Sequence, residues 1–267
     1  MIARSALLAL ALTGCFAGAS LGAFAADAKL AAAIAAPDRD AANKARDGAR
    51  HPQASLEFWG LKPGQTVIEV APGGGYWSEI LAPYAKSTGG HYIAATGKPD
   101  QKLPAKFSDQ AMYGDIHYTV FSNSSGPMGP GNSADLVLTA RNIHDWLWTP
   151  GMAEKSMRDF YAVLRPGGIL AVEDHRADPR PQNGDAHDGY VATSTIVGLA
   201  EKAGFKLEAK SEINANPKDT KDHPFGVWTL PPVRQSAQQG DDPKFDHTKY
   251  DAIGESDRMT LRFRKPA

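Results

Sequence analysis

Thr66-Val-Ile-Glu-Val-Ala-Pro-Gly-Gly-Gly-Tyr-Trp77 restricts the possible folds more than any other stretch of the chain. A short apolar, β-branched run reaches an acidic residue at Glu69, breaks into three consecutive glycines and enters a helix-compatible segment from Trp77 to Ala85. The pattern predicts a strand, a tight turn and a helix N-terminus. In doubly wound α/β sheets ligands bind outside the carboxyl ends of the strands, where glycine lets a bound group approach backbone that side chains would block. Three glycines in a row are an expensive way to make an ordinary turn, so Gly73 and Gly75 are read as functional. Glu69 is read both as a partly buried acid capping its own turn and as a group that orients it.

The rest of the chain supplies further strands and helices in alternation. Residues Ala26 to Ala36 are alanine-rich, a connector or short helix, and Asp38 to Trp59 reads as a polar helix followed by an amphipathic one starting near Pro52. Arg46, Arg50 and His51 are read as a solvated helix face. Further strands are predicted at His91–Ala95, Ile116–Phe121, Asp135–Thr139, Ile169–Val172, Lys206–Ile213 and Met259–Arg264, with helices at Met152–Leu164 and Val191–Ala203. Polar, proline-containing or glycine-rich stretches connect them. Alternation of this kind argues for a mostly parallel sheet covered on both faces.

Residues 1–25 carry one cation, Arg4, an apolar run from Ala6 to Leu12 and the small-residue site Ala23-Phe24-Ala25, the pattern of a secretory signal peptide. Cleavage near Ala25 would give a periplasmic or secreted protein. Leu12-Thr13-Gly14-Cys15 offers the alternative of a lipoprotein anchored through Cys15, the only cysteine, so cleavage near Ala25 would leave no thiol for a disulfide or a metal. With Arg4 removed, the 29 basic residues become 28 against 30 acidic ones, a balance that offers nucleic acid no electrostatic footprint. No later segment is apolar enough over a sufficient length to span a membrane. Oligomeric state is not legible.

The motifs resemble those of class I S-adenosylmethionine-dependent methyltransferases. The likeness rests on Val-Ile-Glu69-Val-Ala71-Pro-Gly73-Gly74-Gly75, on Ala-Asp135-Leu-Val-Leu, on Leu164-Arg-Pro-Gly-Gly-Ile-Leu and on Ala203-Gly-Phe205, which cover most of the chain beyond the leader in the right order. It extends to a group of exported bacterial proteins through Lys62-Pro-Gly64, Asn142-Ile-His144-Asp145 and Asp174-His175. The resemblance implies a Rossmann-like α/β fold: a doubly wound, mostly parallel seven-stranded sheet whose antiparallel last strand lies between the fifth and sixth. It divides the chain into a leader (1–25), an N-terminal helical segment (26–60) and a methyltransferase-like domain (61–267) with a lid over the crevice at 214–257.

S-adenosylmethionine is the cofactor so implied, held by Glu69, Ala71, Gly73, Gly74, Gly75, Tyr76, Thr96, Asp115 and Asn142. Two departures stand out. Ala71 replaces the first glycine of the turn motif, and Ala94-Ala-Thr96-Gly97 lacks the acid that usually holds the ribose hydroxyls, leaving Thr96 or Asp100 for that task.

Two acidic-histidine pairs fall at adjacent strand ends, His144-Asp145 and Asp174-His175, within convergence distance of one another. One reading makes His144 or His175 a general base oriented by Asp145 or Asp174. A less favoured one makes the four groups ligands of a divalent metal, and the blandest has them satisfy loops and cap helices. Trp77 and Trp148 are expected to pack between helices and sheet, while Tyr76 and Trp146 are candidates to stack on adenine, substrate or sulfonium. Trp146, His187, Trp228 and Arg258 are the expected substrate contacts, and Arg258 has two readings, recognition of a carboxylate and an exposed ion pair. His187-Asp188 is a further acidic-histidine pair. The expected function is an exported methyltransferase of a small or mid-sized molecule, and the rival is a non-catalytic periplasmic binding protein that keeps the fold.

Overall fold

A computed structural model of the protein describes residues 27–179 and 186–267. The expected leader, with Cys15, lies outside the described residues. The helical N-terminal part comprises α1 (Ala28–Ala35), the single turns α2 (Ala41–Lys44) and α3 (Asp47–Arg50), and α4 (Pro52–Phe58). The elements β1 (Thr66–Val70), α5 (Ser78–Thr88), β2 (His91–Thr96), α6 (Gln110–Tyr113), β3 (His117–Val120) and β4 (Ala134–Ala140) follow. After them come α7 (Ile143–Trp146), α8 (Met152–Val163), β5 (Leu164–His175), α9 (Thr193–Lys202), β6 (Lys206–Ser211), β7 (Pro224–Val227), α10 (Thr248–Ile253) and β8 (Arg258–Arg264).

Seven strands form one sheet in the order β3-β2-β1-β4-β5-β8-β6. Strands β1 to β5 run parallel, and β8 is antiparallel to both neighbours, β5 and β6. This is the expected doubly wound, mostly parallel sheet. Strand order reverses between β1 and β4, and a crevice opens at such a point beyond the carboxyl ends. Val70, Ala140 and His175 end there, and antiparallel β8 begins there at Arg258.

Successive strand residues point to opposite faces, and both faces are covered. On one side Ile68, Val70, Val137, Leu170 and Val172 pack with Met157, Phe160, Ile196 and Ala200 of α8 and α9. On the other, Val67, Leu136, Leu138 and Ala171 pack with Leu30 of α1, Leu56 of α4 and Ile80 and Leu81 of α5. Edge strand β6 has no fully buried residue, which suits its alternating Lys-Leu-Glu-Ala-Lys-Ser sequence.

Two stretches differ from expectation. The polar helix of Asp38 to His51 is two single turns broken at Ala45-Arg46, and the second ends where His51 takes a left-handed φ of 44° ahead of Pro52, since a residue before proline is disfavoured in the helical region. The fifth strand begins at Leu164 instead of Ile169. Arg165 to Gly168 form an irregularity within it, since Leu164 pairs with Ala134 while Ile169 pairs with Leu136. The 214–257 connection is pinned at its root: Asn214 Nδ2 donates to Ser55 Oγ and Thr260 Oγ1, both at 3.0 Å, and Asp219 accepts from Asp257 N at 2.8 Å. Among the described residues no helix is long and apolar enough to cross a membrane.

Candidate active-site crevice

The glycine turn hangs from the end of β1. Ala71, Gly73 and Gly75 all have positive φ (48°, 56° and 88°), so Ala71 stands in a conformation that side chains rarely adopt. A Cβ on Gly75 would lie 2.6 Å from Phe107 Cζ, whereas one on Gly73 or Gly74 would meet nothing within 4 Å. Phe107 therefore closes one end of the turn and open space faces the other. Glu69, 3% exposed, accepts from Ser78 Oγ at 2.8 Å and Tyr92 Oη at 2.5 Å. Burial pushes its carboxyl up to about 7 against the pull of those two bonds. Asn142 ties the ends of β1 and β4 together, donating to Val70 O at 3.1 Å and Thr139 Oγ1 at 3.2 Å. A cavity of about 170 Å³ lies over the turn, lined by Arg46, Arg50, Glu69, Gly73, Gly74 and Arg141 among others.

A second cavity of about 170 Å³ shares Arg141 with the first and reaches His144, Asp145, His175, Trp228 and Ser256. The fully buried Asp174 organises it. Its Oδ1 accepts from His144 Nδ1 and His175 N, each at 2.8 Å, and its Oδ2 from Ile143 N at 2.8 Å and His144 N at 3.4 Å. Surrounded by donors, Asp174 selects the His144 tautomer with a proton on Nδ1, leaving Nε2, 3.3 Å from Asp145 Oδ1, as the basic nitrogen. Burial opposes charge on His144, but Asp174 and then Asp145 outweigh it and hold its pKa above the ordinary value. Burial, and then His144 and nearby arginines, push His175 well below. Burial also raises the Asp145 carboxyl, with His144 pulling the other way.

Ligand atoms of His144, Asp174 and His175 lie within 4.8 Å of one another, a grouping that could hold an ion. Both Asp174 oxygens are already occupied by N–H donors, however. That donor set suits an oriented histidine better than a metal.

Several expected site residues sit elsewhere. Trp146 is not in the crevice: it packs against Phe121 and Phe160 in the core, with centroids at 5.1 and 5.8 Å. Trp148 takes the crevice position instead, 45% exposed, 5.6 Å from Trp228 and 6.5 Å from His144. Two residues, roughly half a helical turn, separate inward from outward here, and α7 ends at Trp146. Asp115 precedes β3, which runs parallel to β2, so it lies at the opposite edge of the sheet, beside His117 at 3.6 Å. Thr96 is buried and its hydroxyl is bonded to Lys98 O and Gln101 O, while Asp100 is exposed. Tyr76 donates to Asp47 at 2.8 Å, and the Arg50 guanidinium stacks over its ring with Cζ 4.3 Å from the ring centroid, so the ring is not free.

Arg258 is 1% exposed and paired with Glu173 at 2.8 Å and with Glu255, so neither the exposed pair nor an external carboxylate describes it. Arg50 is likewise buried, not solvated, and pairs with Glu255 together with Arg46; His51 Nδ1 lies 3.3 Å from Asn214 Oδ1. His187 and Trp228 border a larger cavity of about 600 Å³ beside Trp148, walled by β7. Sequence reasoning missed Arg141 and Glu173. Arg141 immediately precedes Asn142 at the end of β4, and that position was its only signal.

No family model matches the chain. Over 140 residues the chain is 26% identical to a ubiquinone/menaquinone biosynthesis C-methyltransferase of Hydrogenovibrio crunogenus, a stretch covering 51% of this chain and 52% of that protein. The chain thus spans about half the length of that curated relative. Among solved structures it resembles the [4+2]-cyclase SpnF, with a TM-score of 0.58 and 15% identity over 82% of this chain and 81% of that one. It also resembles an S-adenosylmethionine-dependent methyltransferase from Aquifex aeolicus, with a TM-score of 0.55 and 16% identity over 83% and 93%. The fold is therefore the Rossmann-like methyltransferase fold. One of these neighbours is named as a cyclase, so the reaction has to be argued from the site.

Proposed function

We propose that the protein is an S-adenosylmethionine-dependent methyltransferase of a small or mid-sized molecule. The observation that carries the reading is the His144–Asp174 pair at the ends of β4 and β5, joined through Arg141 to the cavity over the glycine turn. The open backbone at Gly73 and Gly74 fits the amino-acid end of the cofactor, and the adjoining cavity, bounded by Trp228, suits the acceptor. When bound, the cofactor supplies an activated methyl group on a positively charged sulfur. The chain's own part is positioning, exclusion of water and proton removal. Held over Gly73 and Gly74, the cofactor would supply the methyl carbon to the acceptor oxygen or nitrogen and would keep the carbon–sulfur electron pair as its leaving group. The acceptor proton passes to His144 Nε2, and Asp174 steadies the resulting imidazolium. Asp174 is a positioning residue, and neutral His175 with Ser256 shapes the opposite wall.

Export belongs to the same proposal and is supported by the leader pattern of residues 1–25. Mass spectrometry of protein recovered from a bacterial host would find an N-terminus near Ala26, whereas an acylated Cys15 as the N-terminus would mean a lipoprotein anchor instead.

A second reading, a binding protein that retains the fold, is favoured by one observation. The Thr96 hydroxyl is consumed by its own loop, bonded to Lys98 O and Gln101 O, and so is not free to hold a ribose. Calorimetry separates the two readings: S-adenosylmethionine and S-adenosylhomocysteine should bind below millimolar concentration, and failure of both would leave only the binding protein. Once an acceptor is found, His144→Ala should lower turnover by roughly 10²–10⁴-fold. Unchanged turnover would remove the general base.

A further inference from the structure

The cavity over the glycine turn holds more positive charge than the chain neutralises. Arg46 and Arg50 both direct Nε at Glu255, at 2.6 and 3.3 Å, and Arg258 divides itself between Glu255 and Glu173. Arg141 makes no side-chain hydrogen bond or ion pair with any described residue, and it borders both cavities. Four guanidinium groups therefore share two carboxylates. Although Arg50 is 2% exposed, its Nη2 has no hydrogen-bond partner among the described residues, and neither does Nη2 of Arg46. Buried donors without acceptors are costly, and unpaired buried charge more so. Consistent with that, burial, followed by repulsion from Arg50, brings Arg141 down to about 9, while the same arginines overcome burial to hold Glu255 down at about 2.

We propose that Arg46, Arg50 and Arg141 form a binding site for the carboxylate group of a ligand seated over Gly73 and Gly74. A guanidinium fork matches two coplanar oxygens. A dianionic phosphate fits less well, because Glu255 pairs with two of the same arginines and Glu69 lines the same cavity. The methyltransferase reading supplies two sources for the carboxylate, the amino-acid end of the cofactor and an acidic acceptor. The choice between them rests on that reading, and the site itself does not.

Calorimetry and thermal melting on the purified protein and its Arg141→Met and Arg46→Gln variants test the site, with S-adenosylhomocysteine, its α-carboxamide and acetate as probes. If the cofactor is the source, the carboxamide binds the parent protein roughly ten- to a hundredfold more weakly than S-adenosylhomocysteine. Arg141→Met then erases that difference. If the acceptor is the source, S-adenosylhomocysteine and its carboxamide bind equally, and acetate raises the melting midpoint of the parent protein but not of the variants. Acetate stabilisation that depends on the arginines, without binding of S-adenosylhomocysteine, would keep the site and sink the methyltransferase reading. The proposal is overturned if no carboxylate probe distinguishes the parent from a folded variant. Arg46, whose side chain is 20% exposed, decides the matter should Arg141→Met fail to fold.

Discussion

Glu69→Gln isolates one buried ionisation at the heart of the glycine turn. In the folded protein burial raises this carboxyl from 4.5 to about 7, while the unfolded chain keeps the ordinary value. Below pH 4.5 both states hold the proton. As pH rises the unfolded chain releases it first, so folding stability falls through the window from 4.5 to 7 and the loss is complete above it. At 1.36 kcal/mol per pH unit, the displacement is worth about 3 kcal/mol. The amide that replaces the carboxyl in this variant does not ionise and still offers an oxygen to Tyr92 and Ser78. Urea denaturation of both proteins at pH 4.5 and pH 8, followed by circular dichroism, gives the comparison. The difference between variant and parent should shift by about 3 kcal/mol in favour of the variant on going to pH 8. Other titrating groups, including His175, cancel in that difference. Parallel pH dependences would refute the account of Glu69 as an acid destabilised by burial.

Three further outcomes follow from the geometry. Asp174→Asn should lower the titration midpoint of His144, read by NMR, and cost roughly 3–5 kcal/mol of stability as a broken buried pair; an unmoved His144 would remove Asp174 as its orienting partner. Gly75→Ala should destabilise by about 1–3 kcal/mol through its clash with Phe107 and its positive φ, and Phe107→Ala should recover part of that loss in the double variant. Strict additivity in urea melts would show that Phe107 does not close the turn. Trp146→Ala should cost about 3–5 kcal/mol, as for a buried core aromatic. Half-exposed Trp148→Ala should cost far less, and equal losses in thermal melts would contradict the placement of the two rings.

The order of strands and helices, the glycine turn and the convergence of His144 with Asp174 were legible because each depends on short-range pattern. Apolar runs bounded by turn residues set the strands, and the parallel topology brings the ends of β4 and β5 side by side. Trp146 and Trp148 could not be sorted that way. Two residues apart at the end of a single helical turn, they differ only in which side that docked turn presents to the sheet. Asp115 was misplaced even though the predicted strand Ile116–Phe121 puts it at that strand's amino end, the side of a parallel sheet away from the crevice.

What the sequence alone determined is the local chemistry: three glycines, a buried acid two residues before the turn, and histidines paired with carboxylates at strand ends. The cationic cradle was decided by tertiary structure. Arg46 and Glu255 are 209 residues apart, and only the packing of the N-terminal turns against the start of β8 brings them together. Read singly, Arg46 and Arg50 belong to a solvated helix face. Burial around one shared carboxylate turns them into a site, because charge that water would screen on a surface has to find a partner inside.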